Sequence, residues 1–164
     1  MEIERKYLVE TPPKNYTACP CRRIEQGYLC TDPVVRVRQD DCDYYLTYKG
    51  KGLLSREEYN LPLTGEAYAH LIAKADGLVL TKLRYEIPYE TRDAQGNPRQ
   101  YTIEMDIFKG TYEGLILAEV EFETEADAFA FVPPSWFGRD VTFTGEFQNS
   151  RLSRPKNPAE DGET

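Results

Sequence analysis

Tyr101-Thr102-Ile103-Glu104-Met105-Asp106-Ile107-Phe108 is the stretch whose reading decides the fold. Ile103, Met105 and Ile107 alternate with Thr102, Glu104 and Asp106, the period-2 signature of a strand with one packed face and one polar face. The pattern recurs on both sides of it. It predicts strands over Glu2–Val9, Ile24–Leu29, Val34–Gln39, Tyr44–Lys49, Ser55–Leu61, Thr81–Tyr89, Leu117–Glu123 and Val141–Thr144. Gly, Pro, Asp and Asn turns bound these runs, and the turns at Asp40–Asp43 and Asp93–Pro98 read as hairpins. Two segments read as helices: Glu66–Asp76, capped by Thr64 and stopped at Gly77, and Glu125–Phe131, capped by Thr124 and ended by Pro133-Pro134. Many short strands with few helices describe an α+β chain, mainly β, folded as a barrel or sandwich with peripheral helices.

The 164 residues suit a single domain over residues 1–154, and the polar, Pro-bearing segment 155–164 reads as a disordered tail. With 40% hydrophobic residues, including 7 Phe and 12 Tyr, the chain can bury a core. Twenty Lys and Arg against 28 Asp and Glu give a net charge of −8, which argues against a general nucleic-acid binder. No apolar stretch approaches the roughly 18 residues of a membrane span, and charged residues follow Met1 at once, so a soluble cytoplasmic protein is expected. Cys19, Cys21, Cys30 and Cys42 lack zinc-knuckle spacing and read as free thiols. His70 has no second ligand near it and reads as a helix-surface residue. Gly50-Lys51-Gly52 lacks the spacing of a phosphate-binding P-loop.

Residues i, i+2 and i+4 of a strand share a face. One face therefore collects Glu2, Glu4 and Lys6; Arg36 and Arg38; Thr47 and Lys49; Lys82 and Arg84; Glu104 and Asp106; and Glu119, Glu121 and Glu123. An ordinary sheet with its charges in water is one explanation. The other is a closed sheet with this face inward, because several strands are purely basic there and others purely acidic, whereas wet faces mix signs across neighbouring strands. Closure would place a cationic wall opposite an anionic one, around a lumen sized for one small ligand. Like charges crowded in such a space need counter-charges. A polyphosphate suits Arg36, Arg38, Arg84, Arg56, Lys49 and Lys82. Divalent Mg²⁺ or Mn²⁺ suits Glu2, Glu4, Glu104, Asp106, Glu119 and Glu121.

The order and spacing of EIERKYLV (Glu2–Val9), QGYL (Gln26–Leu29), VRVR (Val35–Arg38), LTYK (Leu46–Lys49), REEY (Arg56–Tyr59), KLRYEI (Lys82–Ile87), IEMDIF (Ile103–Phe108), GLILAEVEF (Gly114–Phe122) and the closing WFGRDVT and FQNSRL blocks resemble the CYTH superfamily of triphosphate tunnel metalloenzymes. The resemblance implies an eight-stranded antiparallel β-barrel whose tunnel binds triphosphates with Mg²⁺ or Mn²⁺. It assigns Glu2 and Glu4, helped by Glu121, to a first metal, and Asp106, Glu119 and Glu121 to a second. Lys6, Arg36, Arg38, Lys49, Arg56, Lys82 and Arg84 would hold the phosphates. The compact E-I-E-R-K start is most similar to short bacterial inorganic triphosphatases, which implies hydrolysis of tripolyphosphate to diphosphate and phosphate.

In the same pattern Tyr28 and Lys82 form a pair, with Lys82 either a proton acceptor of depressed pKa oriented by Tyr28 or only a phosphate clamp. Asp140 and Phe147 stand where the family often carries Glu and Tyr. A class IV adenylate cyclase, a nucleotide or thiamine triphosphatase, and a non-catalytic polyphosphate- or metal-binding module are the competing readings. The carboxylates weigh against the last, since anion binding alone needs only the cationic wall. No long nucleic acid or membrane is expected as a partner, and an apolar exterior incompletely covered by two helices suits a homodimer.

Overall fold

A computed structural model describes residues 1–154, so the segment expected to be a disordered tail lies outside the described residues. Nine strands form one antiparallel sheet: β1 Glu2–Leu8, β2 Cys21–Thr31, β3 Val34–Asp40, β4 Asp43–Lys49, β5 Ser55–Arg56, β6 Glu58–Pro62, β7 Leu80–Arg92, β8 Pro98–Lys109 and β9 Ile116–Glu121. Their order is β5-β1-β9-β8-β7-β2-β3-β4-β6. The sheet does not close on itself through a ladder between its end strands. Instead β5 and β6, predicted as the single strand Ser55–Leu61, are interrupted only at Glu57: Glu2 registers with Arg56 on one side, and Lys49 with Glu58 on the other. One segment therefore touches both edges, and the tunnel is completed by chain continuity.

The predicted strand Val141–Thr144 is not a strand. Its segment instead covers the edge of β1 beyond β5. Gly138 N donates to Leu8 O at 2.7 Å, Leu8 N to Arg139 O at 2.9 Å and Val141 N to Lys6 O at 2.9 Å. At the next position the Thr142 hydroxyl replaces a carbonyl, accepting from Lys6 N at 3.0 Å, so the edge is satisfied without a regular ladder.

The apolar core lies outside the tunnel. Ile103, Val120 and Phe122 turn outward by strand alternation and pack with Tyr7, Tyr101, Ala128 and Phe131 beneath α2, Glu125–Ala130. Thr124 caps this helix by accepting from Asp127 N at 3.1 Å. Thr64 likewise caps α1, Gly65–Ile72, which ends four residues before the predicted Asp76. Its end packs closely on β2, where a Cβ on Gly27 would lie 2.8 Å from Ile72 Cδ1. A short α3, Asn149–Leu152, lies against β2 and carries Asn149 to the tunnel. His70 is exposed on α1 and the four cysteines are free. No helix among the described residues is long and apolar enough to cross a membrane.

Candidate active site

The inward face of the sheet encloses a cavity of about 210 Å³. Sheet order sorts its charges: β1, β9 and β8 are neighbours and bring Glu2, Glu4, Glu119, Glu121 and Glu104, while β7, β3 and β4 bring Lys82, Arg84, Arg36, Arg38 and Lys49. Lys6, Tyr28 and Arg56 also line it. Every expected site residue is thus gathered except Asp106. That residue is 0% exposed, and both its oxygens are taken: Oδ1 accepts from Arg84 Nε at 2.7 Å, and Oδ2 lies 2.8 Å from Arg84 Nη2 and 2.7 Å from Lys82 Nζ. The expected metal ligand Asp106 is thus held by Arg84 and Lys82 and does not line the cavity. Cross-strand register places it opposite Arg84, whose fork consumes it.

The walls neutralise each other where they meet. At the β7–β8 seam Arg84 reaches Glu104 at 2.6 Å and Glu119 at 3.8 Å. Lys6 lies 3.6 Å from Glu119. At the other seam Lys49 donates to Glu2 at 3.0 Å and lies 3.3 Å from Glu58, and Arg56 is 3.5 Å from Glu2. Arg36 and Arg38, in the middle of the basic wall, have no carboxylate partner among the described residues. Arg38 donates twice to Gln26 Oε1, at 2.8 and 2.6 Å. Arg36 donates to Thr47 Oγ1 at 3.2 Å, but its buried Nε has no partner.

The ionisation of these groups follows from burial and from the neighbours each faces. Burial, then Glu119, pushes the Glu4 carboxyl up to about 8. Burial and the hydrogen bond it shares with Glu58 raise Glu2, whereas that bond and Lys49 outweigh burial at Glu58 and hold it at about 2. Glu119 resists burial because Lys6, Arg84 and Lys82 surround it, and stays well below the carboxylate range. Lys82 is the reverse. Burial outweighs its contact with Asp106, the Arg84 and Arg38 cations add to the effect, and its ammonium falls to about 7. Burial with Arg36 and Arg84 lowers Arg38 to about 9, which leaves it charged at neutral pH.

Sequence reading missed two residues that shape the site. Asn149 Oδ1 accepts from Lys82 Nζ at 2.9 Å and from Gln26 Nε2 at 2.8 Å, fixing the lysine head. Glu58 joins the Glu2–Lys49 seam, although it lies inside the REEY block. Among the described residues Tyr28 and Lys82 share the cavity without a hydrogen bond between them. Asp140 lies outside, bound to Arg5 at 2.6 Å and to the Thr142 hydroxyl at 2.6 Å, where it pins the segment that covers β1.

Fold and site together define an antiparallel β-tunnel protein whose charged interior is built to hold a small polyanion among carboxylates. The family model described as "CYTH domain" matches residues 1–153, and the chain belongs to that family. It is 38% identical over 156 residues to an inorganic triphosphatase of Nitrosomonas europaea, covering 93% of this chain and 96% of the relative. It is 36% identical over 161 residues to an inorganic triphosphatase of Acetivibrio thermocellus, covering 96% and 94%. The crystal structure of the inorganic triphosphatase NE1496 superposes with a TM-score of 0.65 at 33% identity, over 95% of this chain and 96% of that one.

Proposed function

We propose that this chain is a divalent-metal-dependent inorganic triphosphatase that converts tripolyphosphate and water to diphosphate and phosphate. The observation that carries the reading is the middle of the basic wall: among the described residues Arg36 and Arg38 face the cavity without a carboxylate, and the buried Arg36 Nε lacks an acceptor. A phosphate oxygen would satisfy that donor, and a forked guanidinium pair matches the charge on non-bridging oxygens. The relatives' activity agrees with this chemistry.

The carboxylates fit a divalent cation by donor type, since all are hard oxygens. Glu4, protonated near neutral pH beside Glu119, offers a place where a cation can replace a proton. Among the described residues no three acidic, His or Cys side chains are gathered into a finished metal centre. A Mg²⁺- or Mn²⁺-type ion would accordingly take Glu2, Glu4, Glu119 and Glu121 as donors, with substrate oxygens and water completing its shell. When bound, such an ion supplies Lewis-acid stabilisation of phosphate charge.

The side chains divide the remaining work. Lys6, Arg36, Arg38 and Arg84 hold the phosphates, and the ion pairs at the seams fix Lys49 and Arg56 at its ends. The water oxygen bonds to the terminal phosphorus, the bridging P–O bond breaks, and diphosphate leaves. Lys82, with its pKa near 7, accepts the proton that water releases, and Tyr28 shares its wall.

The test is to incubate the protein with tripolyphosphate, ATP or thiamine triphosphate and Mg²⁺ or Mn²⁺, and to measure phosphate and cyclic AMP. Phosphate from tripolyphosphate is expected as the main product; cyclic AMP from ATP as the main product would replace hydrolysis by cyclisation. For Lys82 the sign is set by its neutral form being the base. The kcat/KM profile should rise through about pH 7 and flatten in Lys82→Arg, which keeps the charge but cannot titrate there. A limb unchanged in Lys82→Arg would reduce Lys82 to a phosphate clamp.

A further inference from the structure

Two recesses adjoin the central cavity and share no lining residue with each other. One, of about 620 Å³, meets it at Val34, Lys49, Arg56 and Ser150. The other, of about 480 Å³, meets it at Glu104 and Glu121. Their charges are opposite. Lys49, Lys51 and Arg56 stand against Asp32 in the first, and Arg154 reaches Thr31 on its rim. In the second, Glu86, Glu104, Glu121 and Glu123 stand against Arg99.

Within the basic recess Lys49 and Arg56 are already committed to Glu2. Lys51 is exposed and makes no ion pair among the described residues. The glycines beside it fix its turn. Gly50 N donates to Glu57 O at 2.9 Å, and Gly52 has φ +141°, with a Cβ there falling 1.9 Å from Ser55 O. The Gly50-Lys51-Gly52 turn, which has no P-loop spacing, thus holds one uncommitted cation at the rim of a preformed opening.

We propose that the anionic substrate reaches the cavity through the Lys51 recess and not through the acidic one, and that Lys51 steers it there. The inference rests on reading the cavity as a triphosphate site. Electrostatic focusing by a cleft of one sign raises the encounter rate of an oppositely charged ligand, and a cleft of the other sign lowers it. Screening over about 8 Å at physiological salt confines the effect to rim charges such as Lys51.

Association of radiolabelled tripolyphosphate, followed by rapid-mix filter binding at low and high salt, tests the proposal. Lys51→Glu should slow association about five- to tenfold at low salt and less than about twofold in 0.5 M salt. Lys51→Ala should lie between it and the wild type. Lys74→Glu, the same charge change on an exposed residue lining none of these cavities, and Glu123→Lys in the acidic recess should each change the rate by less than about twofold. Equal slowing by Lys51→Glu and Lys74→Glu overturns the proposal, as does a larger response to Glu123→Lys than to Lys51→Glu. Hydrolysis measured in parallel separates the claims. A wild-type protein that binds tripolyphosphate with this pattern but does not cleave it leaves the route standing and removes the triphosphatase reading, whereas a protein that binds none of it sinks both.

Discussion

Glu4→Gln is expected to lower metal-dependent turnover by about 100-fold or more while making the metal-free protein more stable at neutral and alkaline pH. Both effects have one cause. Glu4 is a half-buried carboxyl beside Glu119 and near Glu2, with Lys6 and Lys49 only partly compensating. Its folded-state pKa of about 8 lies well above that of an ordinary glutamate, about 4.5. The folded protein therefore binds a proton that the unfolded chain has lost, and stability is fully present below about pH 4.5 and drains away as pH rises to about 8. Gln keeps the shape and a neutral head, so it escapes that loss.

In urea melts with EDTA, the variant and wild type should coincide near pH 4 and diverge to a few kcal/mol by pH 8, the variant being the more stable. Added Mg²⁺ should reverse the order, because the wild type, with its full set of donors, gains more binding free energy from the ion. Equal stability at pH 8 in EDTA would show that Glu4 is not desolvated, and unchanged turnover would remove it from the site. A site that is unfavourable when empty and neutralised when filled is what a pocket of like charges predicts.

The inward face of this tunnel was legible because strand alternation is a strict rule. Glu2, Glu4 and Lys6, Arg36 and Arg38, and Lys82 and Arg84 share faces by spacing alone, and all of them line the cavity. Topology was less so. Grouping β1, β9 and β8 into an acidic wall requires the sheet order, which long-range pairing sets and local pattern does not. Register explains Asp106: Glu104 and Asp106 are indistinguishable by parity, and only the pairing of Arg84 with Asp106 tells which one the arginine's fork consumes. The segment at Val141 has a strand-like composition, yet Thr142 offers its hydroxyl in place of a carbonyl and the ladder stops. Asn149 reaches Lys82 from 67 positions away on a helix of four residues, a contact with no periodic signal.

Asp106→Asn is expected to destabilise the metal-free protein by about 3–5 kcal/mol, the cost of leaving buried cations without their anion. The substitution hardly alters volume, so charge and hydrogen bonding carry the effect. Arg84 retains Glu104 at 2.6 Å, but Lys82, 1% exposed, loses the carboxylate that lies 2.7 Å away. Asp106 is one of the influences that raise the lysine's pKa, so its removal should move the activity limb below pH 7. Lys82→Met in the same background removes the lysine head that has lost its partner. The double variant should therefore recover part of the loss, with a coupling of about 1–3 kcal/mol in a double-mutant cycle on denaturation free energies in EDTA. A metal ligand would behave differently: metal-free stability would hold and only ion affinity would fall. The cycle in EDTA thus decides whether Asp106 binds an ion or, as its three contacts to Arg84 and Lys82 indicate, sets the charge and position of the lysine proposed to take the proton.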